Sequence, residues 1–322
     1  AACVPIILSL KNEEQGIGRR FDFIGFILIA VAVGSMQLVF DRGQRLDWFD
    51  STEIIIEASL AAACIYFFLV HASFARAPLF EAATFKDRNL VLGVCFALIM
   101  GMLQYTPMVL FPSLLQDLRG YPDSIVGYLI ATRGVGNFLS FFVVAQCTRL
   151  NPRATLAAGL LIQAGAGVWM GQLDMNMTSA DVMWTNIIHG FGFGLAYTPM
   201  AVLAFSTLEP RLLTQGNAIF SLLRMLGSSI FISITLVIFV QSSAGAYANL
   251  SSLVTPFDSG RLAPWIAQFG EITSRTFQQL AGEQVRREAA MIGYLNAFHL
   301  LTIMPALAAP LAFCFKVRPR DG

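Results

Sequence analysis

Residues 21–40 read FDFIGFILIAVAVGSMQLVF, and this stretch decides the class of fold. It carries one charged residue, Asp22, close to its start, and its apolar residues follow one another without regular alternation. A helix of about 20 apolar residues crosses a hydrocarbon core about 30 Å thick. Only helices and closed barrels satisfy their backbone polar groups in lipid, and barrel strands would alternate over about 10 residues. The stretch therefore predicts a membrane-spanning helix.

The rest of the chain repeats this pattern. Of its 322 residues, 56% are hydrophobic and 13% are charged, whereas an average soluble domain carries about 25% charged residues. The charges cluster in short segments between the apolar stretches, which predicts an all-α integral membrane protein. We predict eight spans, at residues 21–40, 54–74, 90–115, 122–145, 153–171, 181–206, 215–241 and 291–315.

The first ten residues, AACVPIILSL, are apolar but too few to cross a membrane. They include no initiating Met, and no basic segment of a signal peptide precedes them. We interpret residues 1–10 as the end of a helix that begins outside this sequence, and the chain as a fragment.

The Lys and Arg residues of the connections predict the orientation, because cytoplasmic loops of membrane proteins are enriched in these residues. Alternate connections, beginning with Lys11, Arg19 and Arg20, hold most of them. The opposite short connections hold few, namely Arg42, Arg45 and Arg119. We therefore expect both ends of the chain in the cytoplasm.

Signatures of catalysis or metal binding do not occur in the sequence. The five cysteines are scattered without a C-x-x-C pair. The sequence contains no G-x-S-x-G, no H-E-x-x-H and no glycine-rich phosphate loop. The net charge of +1 points to no nucleic-acid partner. We expect no enzyme activity, no metal and no cofactor.

Polar residues inside the spans are the best indicators of function, because a charge at the bilayer centre costs about 2.5–3.5 kcal/mol on insertion scales. Arg133 lies midway along the fourth span and Arg224 about ten residues into the seventh. Two histidines, His189 and His299, lie within the sixth and eighth spans. Each arginine is predicted to line a cavity or gate, or else to bond a neighbouring carbonyl group and lock the bundle. Each histidine is either a functional group or a packed core residue.

Acidic residues are missing from the middle of every predicted span. If the protein couples transport to protons, the carboxylates that carry them are therefore expected outside this sequence. His189 is a possible substitute, since imidazole titrates near neutral pH. Pro107, Pro112 and Pro199 predict bent helices, which suit a protein that changes shape but also occur in static bundles.

Four segments of the chain resemble a known family. LVFDRGQRLDWFDSTEI (residues 38–54) is similar to a signature of the EmrB/QacA branch of the major facilitator superfamily, the fourteen-span drug:proton antiporters. RGVGNFLSFFVV (133–144), HGFGFGLAYTPMAVLAFSTLEP (189–210) and GNAIFSLLRMLGSSI (216–230) resemble spans of that family's carboxyl-terminal half. The pattern departs at Thr132, where the family usually has proline.

The resemblance implies a domain organisation and an activity. It implies an exporter of amphipathic or lipophilic compounds in a bacterial inner membrane, driven by proton antiport, with a periplasmic adaptor protein as a further partner. The amino-terminal bundle, with the antiporter motif and proton-carrying carboxylates, would lie outside this sequence. The implied divisions are the end of a preceding span (1–10), a cytoplasmic linker (11–20), two central helices (21–74), a second cytoplasmic linker (75–89), a six-helix bundle (90–315) with an outer loop at 242–290, and a cytoplasmic tail (316–322).

The candidate site residues follow from the intramembrane scan and the resemblance. Arg133 and Arg224 match the family's intramembrane arginines. The further candidates for the cavity or its gate are His189, Asn137, Asn217, Gln104 and Tyr197. The outer-loop signature contributes Asp41, Arg42 and Trp48, which we expect to fix the linker between the two central spans.

Other functions remain open at this point. An exporter of fatty acids, siderophores or other metabolites would share the same fold, since specificity depends on a cavity shared with the other bundle. A membrane sensor or assembly protein that transports nothing, or a non-functional gene remnant, would also keep these spans.

Overall fold

The computed structural model describes residues 22–75, 77–253 and 275–317. In this part of the chain the long elements are all helices, which confirms the predicted all-α membrane fold. They are α1 (Phe23–Arg42), α2 (Thr52–Phe74), α3 (Arg88–Arg119), α4 (Asp123–Leu150), α5 (Pro152–Met170), α6 (Ser179–Phe205), α7 (Leu213–Leu253) and α8 (Arg275–Leu311).

Each predicted span coincides with one of these helices. Among the described residues, seven helices are long and apolar enough to cross a membrane. The helix outside that set is α5, which has 19 residues and contains Arg153 and Gln163. It packs against α6 and α8, so its polar residues lie within a bundle of more apolar helices.

The six helices α3 to α8 form one bundle. Within it α4 and α5 pack on α6, α3 packs on α7, and α8 packs on α5 and α7. The other two helices pair with each other, and α1 also contacts α7. The bundle core is built of apolar side chains with almost no exposed surface, among them Met100, Leu103, Phe111, Leu160, Met200, Phe298 and Leu301.

Glycines bring α6 close to both of its neighbours. A Cβ at Gly136 of α4 would collide with the carbonyl oxygen of Ile187 on α6. A Cβ at Gly159 of α5 would lie 2.6 Å from the backbone nitrogen of Ala196, also on α6. Small residues allow such close approach of helix backbones in lipid, where packing rather than the hydrophobic effect holds helices together.

Polar side chains cap the helix ends. Asp87 begins α3 by accepting a 2.8 Å hydrogen bond from the backbone N–H of Leu90. Thr178 and Asp181 form a reciprocal capping box at the start of α6. Gly120, in the left-handed region with φ 64°, ends α3. These caps satisfy backbone groups that the first and last turns of a helix leave free.

Two helices extend beyond the predicted spans. We expected an outer loop at 242–290, but α7 continues to Leu253 and α8 already begins at Arg275. The polar residues after Gln241 mark the end of the apolar stretch, but they do not mark the end of the helix. A helix continues into water as long as its backbone hydrogen bonds continue. Residues 254–274 lie outside the described residues, and so do the predicted segments 1–10 and 11–20 and the tail beyond residue 317.

Candidate functional site

Two intramembrane arginines meet at one residue, Gln104, midway along α3. Arg133 of α4 donates from one terminal nitrogen to the carbonyl oxygen of Gln104 at 2.8 Å. Arg224 of α7 donates to the side-chain oxygen Oε1 of the same residue, also at 2.8 Å. Gln104 therefore joins three helices at the level of the middle of α3, and we call Gln104, Arg133 and Arg224 the arginine junction.

The second hydrogen bond of Arg133 explains why its guanidinium group is tolerated inside the bundle. It donates to the carbonyl oxygen of Leu103 at 2.5 Å. Pro107 lies four residues further on and has no backbone N–H, so it leaves this carbonyl group without its helical donor. Arg133 supplies the missing donor and is itself only 5% exposed.

Aromatic rings continue from Arg133 along the inside of α6. The guanidinium carbon of Arg133 lies 5.7 Å from the ring centre of Phe193. Phe193 stacks on Tyr197 with ring centres 5.7 Å apart, and Tyr197 meets Phe220 of α7 edge-on at 6.5 Å. A cation over an aromatic face is stabilised by the ring's negative face, so the row holds Arg133 on a second side.

The arginine junction is positively charged. In the described part of the chain, neither Arg133 nor Arg224 forms an ion pair with a carboxylate. The Nε of Arg224 has no hydrogen-bond partner there, and its side chain is only half-buried. This nitrogen is itself shielded from solvent, so the part of Arg224 that can meet water or an oxygen atom of a ligand is its remaining accessible surface.

His189 lies beside the junction but is not hydrogen-bonded to it. It is fully buried, and neither ring nitrogen has a partner among the described residues. The next residue, Gly190, contacts Arg133 so closely that a Cβ would come within 3.0 Å of the arginine Cγ. His189 is therefore the immediate neighbour in sequence of Gly190, which contacts Arg133.

Sequence reasoning missed Gln163, a polar residue in the middle of α5. It is fully buried, and both atoms of its amide group lack partners within the described residues. Its Cγ lies 2.8 Å from where a Cβ of Gly192 would be, one turn along α6 from His189. The scan for polar residues inside spans could have found it, since Gln163 interrupts the run LLIQAGAG.

The remaining cavity candidates are dispersed. Asn137 is half-buried, and its side-chain oxygen lies against Gly194 of α6. Tyr197 belongs to the aromatic row. Asn217 is exposed on α7, two turns before Arg224, and His299 is exposed on α8. The structure thus brings together Gln104, Arg133 and Arg224, whereas Asn217 does not reach them.

The outer-loop signature forms the tight connection between α1 and α2. Arg42 at the end of α1 makes an ion pair with Glu53 at the start of α2. Trp48 donates from its indole nitrogen to Gln44 at 3.3 Å, and its ring covers Gly43, where a Cβ would approach it to 2.7 Å. Asp41 is exposed.

A further polar contact joins the other ends of α1 and α2. Asp22, just before α1, lies 2.8 Å from the Nε2 of His71 in the last turn of α2. It also accepts hydrogen bonds from the backbone N–H groups of Gly25 and Leu79. Burial raises the pKa of the Asp22 carboxyl group, but these hydrogen bonds outweigh it and hold the pKa below its ordinary value. No local sequence signal relates residues so far apart.

The chain is similar to curated exporters over nearly its whole length, although no family model matches it. It is 28% identical over 304 residues to the multidrug export protein EmrB of Escherichia coli K12, covering 92% of this chain and 59% of that protein. It is 24% identical over 311 residues to the fatty acid resistance protein FarB of Neisseria gonorrhoeae, covering 95% and 61%. The chain therefore spans about three fifths of the length of these relatives.

A solved structure shares the fold. A bacterial homologue of the human lysosomal transporter Spinster, in an inward-facing and occupied conformation, matches 91% of this chain and 68% of its own with a TM-score of 0.53 at 16% identity. The chain is therefore similar over nearly its whole length to EmrB multidrug export proteins, and it shares the fold of this solved structure.

Proposed function

We propose that this chain forms the carboxyl-terminal part of an exporter of amphipathic or lipophilic compounds, driven by proton antiport in the intact protein. The similarity to multidrug export proteins supports this proposal. Because the chain spans about three fifths of those relatives' length, the activity is proposed for the intact protein. We also propose a bacterial inner-membrane location, a cytoplasmic carboxyl terminus and a periplasmic adaptor as partner.

The observation that carries the proposal is the arginine junction. Transporters of this architecture bind substrate near the bilayer midplane and alternate access by rocking one bundle against the other. Arg224 is half-buried at the level of Gln104, which lies midway along α3. We assign Arg224 to the substrate cavity, because a half-buried cation at that depth needs either water or a ligand oxygen beside it.

Arg133 has a different role in this proposal. Its guanidinium group is buried and donates to two carbonyl groups of α3 next to Pro107. We assign it to the gate, where it holds α4 against the turn of α3 that precedes Pro107. Gln104 links this gate to the cavity, since its backbone binds Arg133 and its side chain binds Arg224.

A fatty-acid exporter is the second candidate. FarB is named a fatty acid resistance protein, and two arginines without a carboxylate partner in the described residues would suit an anionic headgroup. Measuring export of a lipophilic cation and of a long-chain fatty acid therefore distinguishes the two substrate classes. A sensor or assembly protein would show no proton flux with either compound.

The test replaces Arg224 with Ala in the intact protein and measures export in everted membrane vesicles. Efflux of an amphipathic compound that carries an acceptor oxygen should fall at least about tenfold at equal expression, since losing its hydrogen bond to the charged guanidinium group costs about 1.5–3 kcal/mol. Arg287→Ala is the matched control, because Arg287 is exposed and, within the described residues, pairs with Glu283 one turn away. Undiminished efflux in Arg224→Ala would remove Arg224 from the cavity.

A further inference from the structure

A cavity of about 640 Å³ lies between α1 and α7, outside the arginine junction. One face of α1, from Phe26 to Gln37, forms one wall, and one face of α7, from Thr214 to Met225, forms the other. The connection after α2 closes one end with Leu79 and Phe80. We call this space the α1–α7 wedge.

Small residues on both walls create the wedge. Ala30 and Gly34 of α1 face Ala218 and Ser221 of α7 across it. A Cβ at Gly34 would have no atom within 4 Å. The two helices therefore diverge without filling the space between them, and larger side chains at these positions would fill it.

The chemistry of the wedge changes along its length. Its walls are mostly apolar, with Ser221 and Gln37 as polar residues further along, while Thr214 and Gln215 lie together at the end next to the α2–α3 connection. The side-chain oxygen of Gln215 already accepts hydrogen bonds from the backbone N–H of Glu81 at 3.0 Å and from the hydroxyl of Thr84 at 3.4 Å. With its oxygen held in this way, the amide group retains two N–H donors for an oxygen atom in the wedge.

The dimensions fit one leaflet of a bilayer. From Phe26 to Gln37 the wall extends for three turns, or about 16 Å at the rise of an α-helix, and this is about half of a hydrocarbon core about 30 Å thick. Both walls belong to helices that are long and apolar enough to cross a membrane. An alkyl chain is the ligand that such a slot accommodates.

We propose that the α1–α7 wedge binds a single alkyl chain whose oxygen-bearing headgroup accepts hydrogen bonds from Gln215 and Thr214. The chain lies along Ala30 and Gly34, and the headgroup lies at the membrane surface beside the α2–α3 connection. Two sources share this chemistry, namely an acyl chain of a membrane phospholipid and a free fatty acid. This site is separate from the arginine junction, and its occupancy does not depend on the proposed export.

The test is photo-crosslinking of the intact protein in lipid nanodiscs. One sample contains a phosphatidylethanolamine with a diazirine in its acyl chain, and another contains a diazirine-labelled palmitic acid. The labelled residues are identified by mass spectrometry. We expect labels on the wedge faces of α1 and α7. Labelling by the phospholipid alone identifies a lipid site, and labelling by the fatty acid alone identifies a fatty-acid site.

Gly34→Leu and Gly165→Leu form a matched pair. Both glycines lie in the interior of a helix, and a Cβ at either position would have no atom within 4 Å, but of the two Gly34 lines the wedge. We expect Gly34→Leu to reduce wedge labelling at least about fivefold and Gly165→Leu to leave it unchanged. If Gly34→Leu fails to accumulate, Ala218→Leu fills the wedge from the opposite wall.

Two results would overturn the proposal. One is that neither probe labels the wedge, which would mean that another segment of the intact protein fills it. The other is equal labelling of the wild type and the filled variants. Export is measured in the same preparations, so that the two proposals are tested separately. A protein that shows wedge labels but exports nothing would support the wedge proposal and contradict the exporter proposal.

Discussion

Arg133 donates a 2.5 Å hydrogen bond to the carbonyl oxygen of Leu103, the oxygen that Pro107 deprives of its helical donor. A proline in α3 and an arginine in α4 thereby complement each other across a helix interface. Proline-bent membrane helices need such replacement donors, because lipid supplies none. The same guanidinium group also binds Gln104, so one side chain serves both the carbonyl left free by Pro107 and the arginine junction.

The pairing of Arg133 with Pro107 predicts non-additive effects on stability. Arg133→Met removes the donor for the carbonyl of Leu103 and should lower the free energy of unfolding by about 1–3 kcal/mol, the cost of a buried unpaired acceptor. Pro107→Ala returns a backbone N–H to that carbonyl. In the Pro107→Ala background, Arg133→Met should therefore cost less. Thermal unfolding of the four proteins in one detergent measures the difference, and strictly additive shifts would argue against the pairing.

Gln104 is predicted to control export through its side chain. Gln104→Glu places a carboxylate against Arg224, and a charge-assisted bond is stronger than the neutral one. We expect this variant to fold but to export more slowly, because the pair has to separate if Arg224 is to meet substrate. Gln104→Leu leaves Arg224 without that acceptor and should weaken substrate selectivity.

The control for these variants is Gln116→Leu on the same helix. Gln116 is exposed and bonds Asp123 at 2.9 Å near the end of α3. The Gln116→Leu variant should leave efflux rates unchanged. Unaltered export kinetics in both Gln104 variants would separate Gln104 from the transport cycle.

We predict that the protein tolerates apolar replacements of His189 and Gln163 unusually well. Their ring and amide atoms are buried without partners among the described residues. An unsatisfied buried polar group costs about 1–3 kcal/mol. His189→Leu and Gln163→Leu should therefore unfold at temperatures equal to or above that of the wild type. Loss of export in either stable variant would then identify a functional role, whereas a large drop in unfolding temperature would reveal partners essential for folding.

The glycines of α4 provide a test of helix packing. Gly136→Ala drives a methyl group into the carbonyl oxygen of Ile187, whereas a Cβ at Gly127 would meet no atom within 4 Å. Overpacking costs about 1–3 kcal/mol, while alanine in place of an open helical glycine gains up to about 1 kcal/mol. Gly136→Ala should lower the unfolding temperature and Gly127→Ala should keep or raise it. Equal shifts would mean that α4 and α6 are not in close contact there.

Hydropathy was sufficient to predict the helices and most of the polar residues inside them, although Gln163 was missed. Arg133 and Arg224 were found because charges in apolar stretches are rare, and the same reasoning applied to Gln104. Their meeting point could not be predicted, because it depends on which faces of α3, α4 and α7 adjoin. Asn217 illustrates the limit, since its polarity alone did not reveal that its side chain would be exposed and outside the arginine junction.

The contact between Asp22 and His71 lay beyond sequence reasoning for a similar reason. Each residue is an ordinary helix-end residue by itself, and only the return of α2 beside α1 brings them to 2.8 Å. The length of α7 was missed because composition marks where the apolar stretch ends and not where backbone hydrogen bonding ends.

The Asp22 carboxyl group predicts an acid-dependent contribution to stability. Its pKa is lowered in the folded protein from an ordinary value of 3.8, so the folded state favours the ionised form. The contribution is therefore complete at pH above about 4 and is lost as the pH falls through the lowered folded value. Asp22→Asn should reduce stability at pH 7, and its difference from the wild type should shrink as the pH falls below about 4. Urea-induced unfolding in detergent at several pH values measures this difference, and a difference that is independent of pH would show that the carboxylate charge contributes nothing.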